Sequence, residues 1–270
     1  MIGRLALRLA VAAVLLFLLA PLVVVVVASF SDGPVMAFPP ASYTTRWYAA
    51  ISDEFWQAAW RSSVLATVSM VVAVVVGTPA GITLARGEFR GKAAISAFCL
   101  SPLMVPALVL AVASYQLSVV MFDLTGTTYA GSFGGLVLGH IALTIPFVIR
   151  AVIVGHTHLD ASLEEAARGL GAGPFQTLRL VTLPQLGPSI LSGGVFAFAA
   201  SFEDLPISLF LGGGDAPTLP VQIYSTVEFN LGADLMAISS VIIAASFAVL
   251  FILERVVGVE KVINAGKGAH

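Results

Sequence analysis

Six long apolar stretches separated by short polar ones set the pattern of this chain. They run from Leu9 to about Ser29, then Ser62–Leu84, Ala93–Val120, Phe133–Val154, Pro188–Leu211 and Leu235–Val257. Each reaches the roughly 20 residues that a helix needs to cross the hydrocarbon of a bilayer. Backbone amides in lipid must find partners within their own segment, so each stretch is predicted to be a helix. The fold class this implies is all-α integral membrane, with six transmembrane helices in a single domain over residues 1–270. Pro79, Pro146 and Pro206 predict kinks in the second, fourth and fifth spans. The third stretch is overlong, and its Pro102 and Pro106 predict a broken or re-entrant segment.

The polar connection between the fourth and fifth stretches, 158–186, departs from this pattern because it is amphipathic and broken by glycines. Asp160 suits the N-cap of a helix starting near Ala161. Leu159, Leu163, Ala166, Ala167 and Leu170 then recur on one face, with Glu164, Glu165 and Arg168 off that stripe. Gly169, Gly171 and Gly173 predict the stop and the turn, Pro174 opens a second short helix, and Pro184 is expected to end it before Pro188 opens the next span. Helices that lie on membranes carry polar faces rich in Lys and Arg. This face is acidic, which anionic lipid would repel, so it fits a basic groove on a protein better.

Composition excludes a soluble domain: 58% of residues are hydrophobic and 10% charged, against about 25% charged in soluble globular proteins. The mean hydropathy is +0.99. The run after Arg4 and Arg8 exceeds the apolar core of a secretory signal, so a retained first span that also serves as targeting signal is expected. The single cysteine, Cys99, excludes an internal disulfide. Positive residues in short connections mark the cytoplasmic side. Arg4 and Arg8, then Arg86, Arg90 and Lys92, then Arg150, Arg168 and Arg179, then Arg255, Lys261 and Lys267 all fall on one side of a six-span alternation. The other side holds only Arg46 and Arg61, with acids Asp123, Asp215, Glu228 and Asp234. Both termini and segment 158–186 are therefore expected in the cytoplasm. The first outer connection is rich in Pro and aromatics, and its Trp47, Tyr48, Trp56 and Trp60 read as interfacial anchors.

Candidate chemistry is sparse. Glu203 lies about 22 Å along a helix from Pro188 at 1.5 Å per residue. Glu203 and Asp204 therefore fall in the outer half of the bilayer or at its edge. Charge at that depth costs about 2.5–3.5 kcal/mol and points to function, so the pair is a candidate substrate-pathway site for a cation. The alternative is that the helix ends at Pro206 and both acids are interfacial. Gly77 with Gly81, and Gly135 with Gly139, read as helix-packing pairs. His140 reads as a hydrogen-bonded core residue. His156 and His158 lack the third ligand a metal site needs, so no metal and no catalytic residues are expected. There is no P-loop G-x-x-x-x-G-K-[ST], so a phosphate cradle of that kind is not expected on this chain.

Glu165-Ala166-Ala167, three residues, Gly171, nine residues, then Val181-Thr182-Leu183-Pro184 resembles the EAA motif of ABC-type import permeases, departing only in Val181 for Ile. Thr45-Arg46-Trp47-Tyr48, Ser201-Phe202-Glu203-Asp204 and Thr218-Leu219-Pro220 are similar to the spermidine/putrescine permeases of the PotC type. The resemblance implies a type I importer permease in a bacterial inner membrane. Segment 158–186 would be its coupling helix, and Glu165, Ala166, Ala167, Gly171, Leu183 and Pro184 would seat it in an ATPase cleft. Also implied are a cytoplasmic ATPase dimer carrying the ATP and Mg, a second homologous permease, an extracytoplasmic solute-binding protein and a lipid surround. Nucleic acid is not an implied partner, and this chain would carry no cofactor and perform no covalent chemistry. The implied cargo is a polyamine or related cation, with opines, amino-acid-like solutes, phosphonates and metal chelates left open. Two other classes are weighed against this: an ion-coupled secondary transporter, which would show more intramembrane charge and paired repeats, and an intramembrane enzyme, for which H-E-x-x-H and G-x-S-x-G are absent.

Overall fold

A computed structural model describes residues 2–33, 38–213, 216–229 and 233–257 of the chain. Asp215, Lys261, Lys267 and His270 lie outside the described residues. The described residues form α1 (Ile2–Ala28), α2 (Arg46–Ala49), α3 (Asp53–Arg86), α4 (Lys92–Leu100), α5 (Ala107–Thr125), α6 (Phe133–His156), α7 (Ala161–Gly169), α8 (Pro174–Thr177), α9 (Leu183–Phe202), α10 (Pro206–Leu211), α11 (Leu219–Phe229) and α12 (Ala233–Val257). Among the described residues no strand is formed, and one isolated bridge joins Ser31 to Tyr43.

Five of these helical stretches are long and apolar enough to cross a membrane: Arg4–Ala28, Asp53–Arg86, Ala107–Thr125, Phe133–His156 and Pro174–Phe202. The sixth apolar segment is helical as α12, and its stretch Asp234–Ala248 is apolar but shorter than a span. At 34 residues, α3 begins well before the predicted Ser62 and measures about 50 Å, longer than the roughly 30 Å hydrocarbon core.

The prolines act differently from one another. Pro79 and Pro146 sit inside unbroken helices. The third apolar stretch is divided: α4 passes into a 3₁₀ turn at Ser101–Leu103, and Pro106, with ψ 133°, caps α5. Its ring cannot continue the preceding helix, which sends the chain off in a new direction. The fifth stretch is also divided, because α9 stops at Phe202 and α10 starts at Pro206. The expectation that Pro184 ends the second short helix is corrected. A π-turn at Leu178–Thr182 joins α8 to α9 without a break, and Pro184 lies in the first turn of α9. A widened turn tolerates the N–H that proline lacks. Pro188 accordingly sits within α9 rather than opening it.

The chain divides into Met1–Trp56 with Ile223–His270, and Gln57–Gln222. In the first unit α1 and α2 both pack on α12. The Tyr48 hydroxyl lies 2.6 Å from Ser29 Oγ and 2.7 Å from Ser240 Oγ. Trp47 Nε1 donates to the Ser31 carbonyl at 2.9 Å, while Arg46 stacks on the Trp47 ring and pairs with Asp32 at 3.2 Å. The apolar face of α1 is uncovered, with Phe17 79% exposed, which is tenable only against lipid or another protein.

In the second unit α6 is central. It packs most extensively on α9, and α10 packs on α5 and α6. Small residues set the spacing. A Cβ at Gly77 would meet Val148 Cβ at 2.9 Å, and one at Gly193 would meet Ala151 Cβ at 2.9 Å. One at Gly139 would stand 2.6 Å from Leu211 and 2.7 Å from Ile207. Without a hydrophobic drive between helices in lipid, such close approach is what holds them together. Two buried clusters result, one of Ala73, Val148, Val152, Leu186 and Ala197, the other of Leu65, Ala111, Leu136, Ile207 and Leu211.

Candidate functional site

The connection after α6 folds as a capped helix and a reversal. Asp160 caps α7: its Oδ1 accepts from Ser162 N at 3.0 Å and from Ser162 Oγ at 2.6 Å. These bonds hold the Asp160 carboxyl below the usual carboxylate range. At the other end Gly171 takes φ +89°. Gly171 N donates to Arg168 O at 2.9 Å and Ala172 N to Ala167 O at 3.0 Å, the paired bonds of a Schellman cap. Gly169 ends the helix and Gly173 is extended, so of these three glycines only Gly171 uses the left-handed region. Gly173 N donates to Gln176 Oε1 at 3.0 Å as α8 begins.

The adjacent acids Glu164 and Glu165 point to different surroundings. Glu165 and Ala166 are exposed, Ala167 is half-buried, Gly171 is exposed, Leu183 is half-buried and Pro184 is exposed. Leu163 is 49% and Leu170 90% exposed, so the apolar stripe of α7 is largely uncovered. Glu164 instead turns inward, with its side chain 15% exposed. Its Oε1 accepts from the Arg86 guanidinium and, at 2.6 Å, from Thr182 Oγ1. Its Oε2 lies 3.7 Å from Arg168 Nη2. Arg86 also donates to Thr182 Oγ1 at 3.1 Å and through Nε to His156 Nε2 at 2.9 Å. Burial pushes the Glu164 carboxyl up, but the Thr182 hydroxyl, Arg86 and Arg168 together outweigh it and hold the group below the usual carboxylate range. Sequence reasoning missed this cluster. It treated Glu164 as an off-stripe surface acid, and nothing in linear spacing links positions 86, 156, 164 and 182.

The break between α9 and α10 separates Glu203 from Asp204. Glu203 is exposed. Asp204 is 6% exposed, and its Oδ2 caps α10 by accepting from Ile207 N at 2.8 Å and Ser208 N at 3.1 Å. The same carboxylate lies 3.8 Å from His140 Nε2. His140 is fully buried, with Nδ1 2.8 Å from Ser201 Oγ and Nε2 3.2 Å from Ser208 Oγ. Among the described residues no group of three or more His, Cys, Asp or Glu is placed to hold a metal ion.

Residues 77–259 match the family described as binding-protein-dependent transport system inner membrane component. The chain belongs to this family. The matched residues contain both polar clusters just described and begin within α3.

The permease is 30% identical over 252 residues to the spermidine/putrescine transport system permease protein PotC of Escherichia coli (strain K12), covering 93% of each chain. It is also 30% identical to the putrescine transport system permease protein PotI of the same organism, over 87% of this chain and 85% of that one. Its fold matches a chain in the crystal structure of a bacterial ABC transporter involved in the import of the acidic polysaccharide alginate, with a TM-score of 0.66, 17% identity and 95% of each chain covered. As a permease subunit of an ABC importer the protein is a multi-pass component of a bacterial inner membrane, which accounts for the uncovered apolar faces of its long helices.

Proposed function

We propose that this permease forms half of a translocation pathway for a polyamine or related small cation. It would be driven by a cytoplasmic ATPase dimer and paired with a second homologous permease. The observation that carries the reading is the free face of α7, a nine-residue helix with no buried residue. A capped helix of that length is marginal alone in water, and Leu163 and Leu170 stay exposed beside Glu165. Such a surface suits a cleft in another subunit. On this reading Glu165 makes the charged contact, Ala166 and Ala167 allow close seating, Gly171 sets the turn, and Leu183 with Pro184 starts the helix that receives the motion. ATP and Mg sit on the ATPase.

Six spans with both termini cytoplasmic, within one domain over residues 1–270, accord with the distribution of Lys and Arg along the sequence. A solute-binding protein would then dock on the opposite, outer side. Similarity to PotC and PotI, whose names state spermidine and putrescine, supports the cargo. Exposed Glu203 offers that cation an acid at the end of α9.

Ala166→Cys tests the assembly. In intact cells a cross-linker from this position is expected to reach the ATPase subunit, and failure to capture it would overturn the reading. Proteoliposomes holding the whole importer, its binding protein and MgATP are expected to accumulate labelled spermidine or putrescine. Uptake that ignores ATP, or prefers another solute class, would remove the corresponding part of the proposal.

A further inference from the structure

We infer that Glu164 is a positioning residue, the clasp through which displacement of α7 is passed to the membrane-spanning helices. The inference rests on the reading of α7 as the coupling helix and adds how its motion leaves it.

Along the chain α7 is joined to α6 only through the turn at 157–160, and to α9 only through the Gly171 reversal, α8 and the π-turn. Each route passes through a turn rather than through continuous helix. Packing offers little more, since α7 buries none of its residues. Asp160 N, at the N-cap of α7, makes a long bond to Gln185 Oε1 of α9 at 3.4 Å; the tie made by a side chain within α7 itself is the Glu164 carboxylate. One oxygen takes the guanidinium of Arg86, the last residue of α3, and the hydroxyl of Thr182, the last residue of the π-turn. Arg86 continues to His156, the last residue of α6. A single side chain thus links α7 to the ends of three other elements.

Isolated surface ion pairs carry little force. This one differs in that the Glu164 side chain is only 15% exposed although Arg86 stays open to solvent, in using charge-assisted bonds, and in having each partner bonded to another, so that the geometry is fixed from several sides. Glu165, one residue on, is left free for an external contact. The two acids therefore divide the work of receiving and transmitting a push.

The test is hydrogen exchange on the intact importer with its ATPase, with and without the ADP–vanadate complex trapped after ATP hydrolysis, read on the protein and not on transported cargo. In the wild type, trapping is expected to change exchange about fivefold or more both in α7 and in the last turn of α3, residues 83–86. In Glu164→Gln the change is expected to remain in α7 and to fall below about twofold in α3. Arg86→Gln should behave alike, and the double variant should be no worse than either single, since the two act as one unit. Glu164→Asp, which keeps the charge, should restore part of the α3 response. A response in α3 that persists in Glu164→Gln, or losses that multiply in the double variant, would overturn the clasp while leaving α7 at the ATPase. A wild-type α7 that ignores nucleotide would overturn the coupling reading itself, and the clasp with it. Where Glu164→Gln fails to assemble, Thr182→Val removes one hydroxyl from the same cluster and decides by the same readout.

Discussion

Gly81 of α3 lies against Val152 of α6 so closely that a Cβ at position 81 would stand 2.8 Å from the valine Cβ and 3.1 Å from the Ile149 carbonyl oxygen. Backbone on one side and a fully buried β-branched side chain on the other leave no flexible group to move aside. Gly81→Ala is expected to destabilise the subunit by about 1–3 kcal/mol through overpacking, read as a lower midpoint of thermal unfolding in detergent. Gly134, where a Cβ would meet nothing within 4 Å, is the control that should move little.

The His140 cluster is predicted to be structural. His140→Ala leaves the Ser201 and Ser208 hydroxyls and the Asp204 carboxylate without the ring between them. The expected loss is about 2–4 kcal/mol, combining a cavity with unpaired polar groups. Thermal unfolding of the assembled complex measures it, and an unchanged midpoint would refute the assignment.

Glu203 and Asp204 are predicted to separate functionally. Glu203→Gln, at an exposed position, should raise the solute concentration needed for half-maximal uptake with little change in stability. Asp204→Asn weakens a buried cap on α10 and should lower stability by about 1–2 kcal/mol. Uptake curves and melting curves of the two single variants distinguish the outcomes; identical behaviour would contradict the prediction.

The clasp also has a pH signature. The Glu164 carboxyl is held below its ordinary value of 4.5, so the folded state favours its ionised form. The stabilisation is therefore fully present above the unfolded value and is lost as pH falls through the lower folded one. Arg86 and Arg168 face it as fixed positive charges, with His156 on the far side of Arg86. Wild type should keep its stability advantage over Glu164→Gln from about pH 8 to about pH 5, where the Glu164 charge also eases protonation of His156, and the gap should close only in more acid buffer. A gap that closes near neutrality would point to another group.

Gly171→Ala separates conformation from crowding. Nothing lies within 4 Å of the added Cβ, but the φ of +89° is one that L-residues avoid. The cost should be about 1–2 kcal/mol of strain at the turn. Gly171→Asn, which tolerates this region better, should cost less. Proteolysis rates at the α7–α8 connection provide the measure, and equal rates for both variants would reject the account.

Much of this protein could be read from its sequence. Hydrophobic run length specified membrane-crossing helices, because a lipid interior has no partner for a free amide. The cap at Asp160 and the turn at Gly171 were legible too, since both depend on residues only a few positions apart. What the prolines do was legible only in part. Pro79 and Pro146 stay within helices while Pro106 and Pro206 begin new ones, because neighbouring helices decide whether a lost backbone bond can be tolerated. Tertiary structure alone decided that Glu164 faces Arg86 and Thr182 while Glu165 faces out, and that Asp204 is drawn beside His140 while Glu203 is not. Those pairings join residues 18 to 78 positions apart in sequence. No local periodicity encodes them: they follow from how closely small residues let α3, α9 and α10 approach α6, a distance set by packing and not by pattern.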